Sequence, residues 1–396
     1  MLDIWPEFPI VVSYHTSPNS RPRGVQNVIA ALQCNRRVCE INLFGVPKSL
    51  LKRSTALKVA FPALTSLRVS SESDDNEGWS VLPDSFLGQY ATSLRSIDLH
   101  GISFPALQKL LLYSKDLVTL RLERIPISWY ISSEEMATCL STLTKLEEVA
   151  IGFLPPLFPW HQLNQHHVPP ATRSVLRSLT SLRFRGDCWY LEALISRILL
   201  PLLNNVDITF AVLPIIQPVF HAPLLCELIS STEGFEAPHR ADLSFHPHFV
   251  NVTLSQPQDT VDRTLKLGVL CRGSELQRSY LAQLCNFTLP PLPTLEHLHI
   301  HCSFVLVHRL NEMDNTQWLH ILRPFTSVKN LYLSDQLVPY VARALQGLSG
   351  ERVTEVLPAL QNIFLPGLKP AGAVLKIIAK FLAARQLSGR TVSVHN

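Results

Sequence analysis

Residues 91–122 read ATSLRSIDLHGISFPALQKLLLYSKDLVTLRL, and this stretch decides the fold. It opens and closes on one phrase, L-x-x-L-x-L, carried first by Leu94, Ile97 and Leu99 and then by Leu117, Leu120 and Leu122. The last two anchors of each phrase are two residues apart. That is the period of a strand, so both point to the same side of it. Between the two phrases Leu107, Leu110 and Leu111 share one face of a helix. The stretch therefore reads strand, loop, helix, loop, strand, with apolar faces that must meet in a common core.

The same phrase returns along the chain. It is carried by Leu64/Leu67/Val69, Leu146/Val149/Ile151, Leu295/Leu298/Ile300, Val328/Leu331/Leu333 and Leu360/Ile363/Leu365, and in shorter form by LTSLRF at 179–184 and LLNNVDI at 202–208. From Leu67 the central anchor recurs after 30, 23, 29, 33 and 24 residues, at Ile97, Leu120, Val149, Leu182 and Val206. This is the pattern of a leucine-rich repeat, whose units run about 20 to 29 residues and stack a strand and a helix at a time. The expected fold is an α/β leucine-rich-repeat solenoid, curved, with an inner parallel sheet and outer helices. The Asn or Cys usual after the last leucine is missing, with Glu72, Ile102, Ile125 and Phe153 in its place, so the repeats are irregular.

Helices are expected between the strands. Val25, Val28, Ile29 and Leu32 form one apolar face, and Ser132 with Glu135 has capping-box spacing ahead of Met136, Leu140 and Leu143. Trp189, Leu191, Leu194, Ile195 and Ile198 suggest another, capped by Asp187, and Leu276, Tyr280, Leu281 and Leu284 a further one. Residues 201–270 are the least regular. Four units are expected there, with strands at Val206, Leu228, Val252 and 264–271, and with helices broken by Pro214, Pro218 and Pro223. Residues 1–23 are read as an N-terminal strand and linker acting as a cap. Residues 24–396 are read as the repeat domain, closed by an apolar helix (Val374, Leu375, Ile378, Phe381, Leu382) and a last strand from Thr391.

Composition narrows the function. The 396 residues are 46% hydrophobic with a net charge of +4, too small and too dispersed for a nucleic-acid partner. No apolar run is clean enough for a membrane span, and Asp3, Pro6 and Glu7 stand where a signal peptide needs basic residues. The eight cysteines are scattered with no C-x-x-C pair, which suits reduced thiols and a cytoplasmic or nuclear location. Asn251-Val-Thr and Asn286-Phe-Thr match the glycosylation sequon, read here as chance. Neither a nucleophile elbow, a phosphate-binding loop nor an H-E-x-x-H motif occurs, so no enzyme and no cofactor are expected.

Two groups of histidines remain. His161, His166 and His167 sit in a Pro-rich stretch read as an exposed polar loop. His297, His299 and His301 alternate with Leu298 and Ile300, so the three imidazoles line the polar side of a strand. No acidic or cysteine partner for a metal chelate there can be assigned from the sequence, and the preferred reading is a polar or pH-sensitive contact surface.

The same alternation assigns the rest of that inner, concave face. Its residues are Ser66/Arg68/Ser70, Ser96/Asp98/His100, Thr119/Arg121/Glu123, Glu148/Ala150/Gly152, Ser181/Arg183/Arg185 and Asn205/Asp207/Thr209. Arg68, Asp98 and Arg121 should form one lateral row. Partner binding is expected through Arg68, Asp98, His100, Arg121, Glu123, Arg183, Arg185, His297, His299 and His301.

The segments LDIWPEFPIVV, GVQNVIAALQCNRRVCEINL, LPDSFLGQYATSLRSIDLHGISFPALQKLLLYSKDLVTLRL, LCRGSELQRSYLAQLC and FLAARQLSGRTVSVH carry a resemblance. In collinear order they resemble the leucine-rich-repeat region of basidiomycete fungal F-box proteins. That resemblance implies a substrate-recognition module in ubiquitin-dependent turnover. The F-box, which would dock a Skp-type adaptor, is not visible in this chain and is expected either lost or upstream of Met1. A scaffold or decoy binding protein partners without a ligase is the alternative, and a metal-binding regulator using the His297/His299/His301 strand a more remote one.

Overall fold

The computed structural model describes residues 8–15, 24–45, 51, 55–71, 80–89, 91–126, 131–154, 172–211, 222–232, 235, 237–256, 263–270, 274–290, 292–302, 315–348, 350–366 and 372–395. His161, His166 and His167 lie outside them. The chain divides into two compact units. The first comprises Met1–Pro156, Trp160–Gly186 and Ala193–Leu203, and the second Leu157–Pro159, Asp187–Glu192 and Asn204–Asn396.

In the first unit the leucine phrases become parallel strands. Its main sheet runs β1 (Ile10–His15), β2 (Val38–Phe44), β3 (Ser66–Ser70), β5 (Ser96–His100), β7 (Thr119–Ile125), β8 (Glu148–Phe153) and β10 (Ser181–Gly186). Two short parallel ladders flank it: β4 (Ser80–Val81) with β6 (Ile102–Ser103), and β9 (Ser174–Val175) with β11 (Ile198–Leu199). The anchors Leu67, Ile97, Leu120 and Val149 are each 0% exposed, so the sequence alternation is the burial alternation. One backbone bond repeats with every copy. The amide after the first leucine donates to its counterpart in the preceding repeat, as in Arg95 N to Thr65 O (2.8 Å), Val118 N to Arg95 O (2.8 Å) and Glu147 N to Val118 O (2.9 Å). This repeated bond fixes the register of each new strand.

Helices α1 (Val25–Gln33), α2 (Leu107–Tyr113), α3 (Ser133–Thr142) and α4 (Cys188–Ile195) occur where the sequence places them. The capping box of α3 forms as expected, with the Ser132 side chain accepting from Glu135 N and the Glu135 carboxylate accepting from Ser132 N. Leu107 of α2 and Met136 of α3 gather with Leu99, Leu122 and Phe153 of the sheet, so these helices cover the apolar side. The expected stripe on α4 is shorter in fact. The helix stops at Ile195, Ile198 belongs to β11, and Trp189 is 61% exposed.

The second unit contains β12 (Asn205–Ala211), α5 (Pro223–Ser231), β13 (Arg240–Phe245), β14 (Phe249–Ser255), β15 (Thr264–Leu270), α6 (Ser274–Phe287), β16 (His297–Cys302), α7 (Asn315–Leu322), β17 (Asn330–Leu333), α8 (Val338–Gln346), β18 (Asn362–Phe364), α9 (Gly372–Leu387) and β19 (Ser393–His395). Its strand order is β12-β15-β14-β13-β16-β17-β18-β19. Here the expectation of four successive repeat units fails. β14 is antiparallel to both β13 and β15, while β12–β15 and β13–β16 are parallel. The connections explain it. Only residues 246–248 separate β13 from β14, and 256–263 separate β14 from β15. A parallel crossover needs about a dozen residues or more, so both links must join antiparallel strands.

Two further corrections fall in the same region. Leu228 lies on α5 and not on a strand, and Pro223 starts that helix at its first turn instead of breaking it. A first-turn proline suits a helix because its missing N–H has no intrahelical partner there. The Glu192 carboxylate supplies the cap, accepting from Leu224 N (3.0 Å) and Leu225 N (2.9 Å). The final helix and strand are present as expected. Ile378 and Phe381 pack with Leu333, Ala342, Leu345 and Ile363, and β19 pairs with β18. The result is α/β architecture, leucine-rich-repeat-like in its strand phrases, with a reversed meander in the second unit. No described helix is long and apolar enough to cross a membrane.

Candidate functional site

On the first unit the residues opposite the core form a polar face. Register aligns Arg68 with Asp98, Asp98 with Arg121, Arg121 with Ala150, and Ala150 with Arg183, which yields the expected lateral row and extends it. The pairing within the row differs from a simple ladder. Arg121 turns its fork onto Glu148, with Nε to Oε1 and Nη2 to Oε2 both at 2.9 Å. That hydrogen-bonded carboxylate raises the guanidinium's affinity for its proton further. Asp98 is left half-buried. Burial pushes its carboxyl above the usual range, opposed by Arg121 and supported by the nearby Glu123.

Glu123 is the second junction. Its carboxylate stands 3.6 Å from His100 Nδ1 and 3.7 Å from Arg183 Nη1. Just beyond it β7 is irregular. Arg124 adopts a left-handed φ of 53°, and the register with β8 slips before Ile125. Ala150 and Gly152 face the same way as these charges, yet both are buried. Register sets Arg121 and Arg183 beside Ala150 and Arg185 beside Gly152. Arg183 and Arg185 are exposed.

The polar face of the second unit has a different character. Across β13, β16, β17, β18 and β19 the central register row reads Asp242, His299, Tyr332, Phe364 and His395. The last four rings stack in sequence: His299 on Tyr332 at 4.0 Å and 9°, Tyr332 on Phe364 at 4.4 Å and 8°, and Phe364 on His395 at 4.8 Å and 20°. Their faces cover one another, so their edges are turned outward and the stack braces the sheet. The spacing is that of adjacent strands, about 4.8 Å, which is why one ring per strand suffices.

The three sequence-predicted histidines are on this face but do not form one cluster. His299 and His301 lie 5.9 Å apart between ring centres, and Asp242 Oδ1 is 3.2 Å from His301 Nε2. His297 turns instead toward His239, with ring centres 4.8 Å apart, and toward Tyr332, whose hydroxyl is 3.4 Å from its Nδ1. Burial, aided by the Arg240 guanidinium, pushes His299 down to about 4, which keeps the imidazole neutral. Burial also raises the Asp242 carboxyl, but hydrogen bonds from His301 and Arg240 outweigh it and hold the group at about 2. Arg240 grips that carboxylate with both arms, Nε to Oδ2 at 2.8 Å and Nη2 to Oδ1 at 2.6 Å.

Asp242, Arg240, His239, Tyr332, Phe364 and His395 are absent from the sequence-based site. The signal was present. RADLSF alternates Arg240, Asp242 and Ser244 with buried Ala241, Leu243 and Phe245. Aligning the last phrases would have put His299, Tyr332 and Phe364 in one column, each between two buried anchors. Of the two sequons, Asn251 is 5% exposed within β14, and the Asn286 amide donates to Ala282 O and His320 O.

Among solved structures the chain is similar to the leucine-rich repeat-containing protein LegL7 from Legionella pneumophila. Identity is 12%, the match covers 94% of this chain and 98% of that one, and the TM-score is 0.31. Such a likeness carries no argument of its own. No family model matches the chain, and no curated protein matches it.

Proposed function

We propose that this protein is a protein-interaction module and that the exposed arginines on the polar face of its first unit receive an acidic segment of a partner. One observation carries the reading. Arg183 and Arg185 stand exposed at alternate positions of β10, and register sets Arg121 on the other side of the buried Ala150. Arginine is the side chain best suited to fork onto a partner's carboxylates. Glu123 and Glu148 keep Arg183 and Arg121 oriented until then. The finer reading, taken from the resemblance, is a curved solenoid that selects substrates for ubiquitin-dependent turnover. A scaffold without a ligase would use the same surface.

The test reverses Arg183 and Arg185 to Glu together. Arg121 is a poorer choice, because a glutamate there would face Glu148. Partners co-purifying with the parent protein should be lost from the doubly reversed variant while its circular dichroism is unchanged. Retention of the same partners at the same affinity would overturn the assignment of the surface. Binding of a purified Skp-type adaptor to the full-length protein separates ligase recognition from a plain scaffold.

A further inference from the structure

We propose that Asp242, His299 and His301 bind one divalent transition-metal ion of the zinc class. The three side chains come from β13 and β16, which pair in parallel with Asp242 directly opposite His299 and Ser244 opposite His301. One ligand atom from each lies within 4.8 Å of the others, close enough to converge on a single ion after small rotations. Two imidazoles and a carboxylate are the donor set that suits zinc, nickel, copper or cobalt, whereas magnesium and calcium prefer all-oxygen shells. Three protein ligands leave a further coordination position for water or for a partner's side chain.

The surroundings prepare these ligands in the way metal sites require. Tyr332 lies flat on His299 at 4.0 Å and fixes its ring plane, so its nitrogens are presented edge-on. Arg240 holds the Asp242 carboxylate in position. An ionised carboxylate has about four acceptor sites, so the two arms of Arg240 leave room for an ion on the His301 side. The metal would replace the existing His301–Asp242 hydrogen bond and keep Arg240 as the outer partner that orients the carboxylate. The guanidinium's charge opposes any cation and weakens binding, while the nitrogen donors set the preference for the zinc class.

A second group, His239, Glu296 and His297, also has ligand atoms within 4.8 Å of one another. It is the weaker candidate. Glu296 is held by Lys329 Nζ at 2.6 Å, whereas Asp242 already meets one of its imidazoles, His301, at 3.2 Å.

The test uses the full chain, stripped with chelator and titrated with zinc chloride by calorimetry and with cobalt chloride by visible absorption. One equivalent of zinc should bind saturably, raise the melting temperature, and not be displaced by excess magnesium. His299→Ala and His301→Ala should each weaken zinc by more than the roughly 10- to 100-fold typical of losing an outer-shell partner. Both variants should retain the parent's circular dichroism, His301 being exposed and His299 half-buried on the polar face. His239→Ala should bind zinc like the parent. The proposal is overturned if the parent shows no saturable zinc binding, if His299→Ala and His301→Ala bind with unchanged affinity, or if His239→Ala is the variant that loses the ion.

Discussion

Replacing Arg385 should loosen the C-terminal end of the second unit. This arginine is 0% exposed and sits on the last turn of α9. Its Nη2 donates to Val356 O at 2.8 Å and Leu357 O at 2.7 Å, and its guanidinium lies 5.2 Å over the Phe381 ring. Leu357 needs such support because its φ of 49° is left-handed, a conformation that costs a non-glycine residue roughly 1–2 kcal/mol. In Arg385→Met the apolar stem persists while the donors vanish. Pro358 O keeps the Arg390 donor and Leu357 O keeps the Leu360 amide at 3.1 Å, so Val356 O is the carbonyl that loses its partner. Each orphaned buried carbonyl costs about 1–3 kcal/mol. Recovery of the buried guanidinium's hydration and its unpaired Nε offset part of that cost. The net expectation is about 1–2 kcal/mol of lost stability. Urea denaturation should show a lower midpoint with an unchanged slope, and amide exchange across residues 372–387 should accelerate. A variant within about 0.5 kcal/mol of the parent, the size of an ordinary surface change, would refute the clamp.

Two other perturbations test separate parts of the fold. Gly101 has φ +64°, and a Cβ there would stand 2.9 Å from Ser71 O, so Gly101→Ala should cost at least about 1 kcal/mol in thermal unfolding; an unchanged melting temperature would contradict this reading of the turn after β5. Tyr332→Ala removes the middle of the ring stack and two aromatic contacts worth about 0.5–1.5 kcal/mol each beyond their buried area, and it should speed amide exchange in both β16 and β18. Exchange unchanged in those strands would show that the stack does not brace the sheet.

What could be read in the sequence, and what could not, follows from the range of the interactions involved. The leucine anchors and the α3 capping box are local patterns, and they appear where the residues place them. Strand direction is also local once the loops are counted, since three residues between Phe245 and Phe249 leave no room for a crossover. LLCELIS misleads because a short apolar run fits strand and helix equally well until Pro223 is recognised as a helix start. Pairing across the sheet is another matter. That Arg121 turns to Glu148 and not to Asp98 depends on which neighbour is small, and Ala150 beside it leaves the space.

The reversed meander has a consequence for the histidine strand that a regular repeat would not produce. In a monotone array β15 would be the neighbour of β16. The central row of the second unit runs through Asp207, Lys266, Thr253, Asp242 and His299, so Lys266 would then stand beside His299. Reversing the order places β13 there instead and exchanges an ammonium for a carboxylate at that position. A lysine next to two imidazoles repels both a second proton and a metal ion, whereas Asp242 attracts either. The two short links, 246–248 and 256–263, therefore set more than topology. They determine which charge faces His299 and His301, and they make three residues from segments more than fifty positions apart into one constellation. The polar row follows register as well as order: a slip of one residue would turn the buried anchors Leu243, Val252 and Leu267 to the polar side and break the constellation with them.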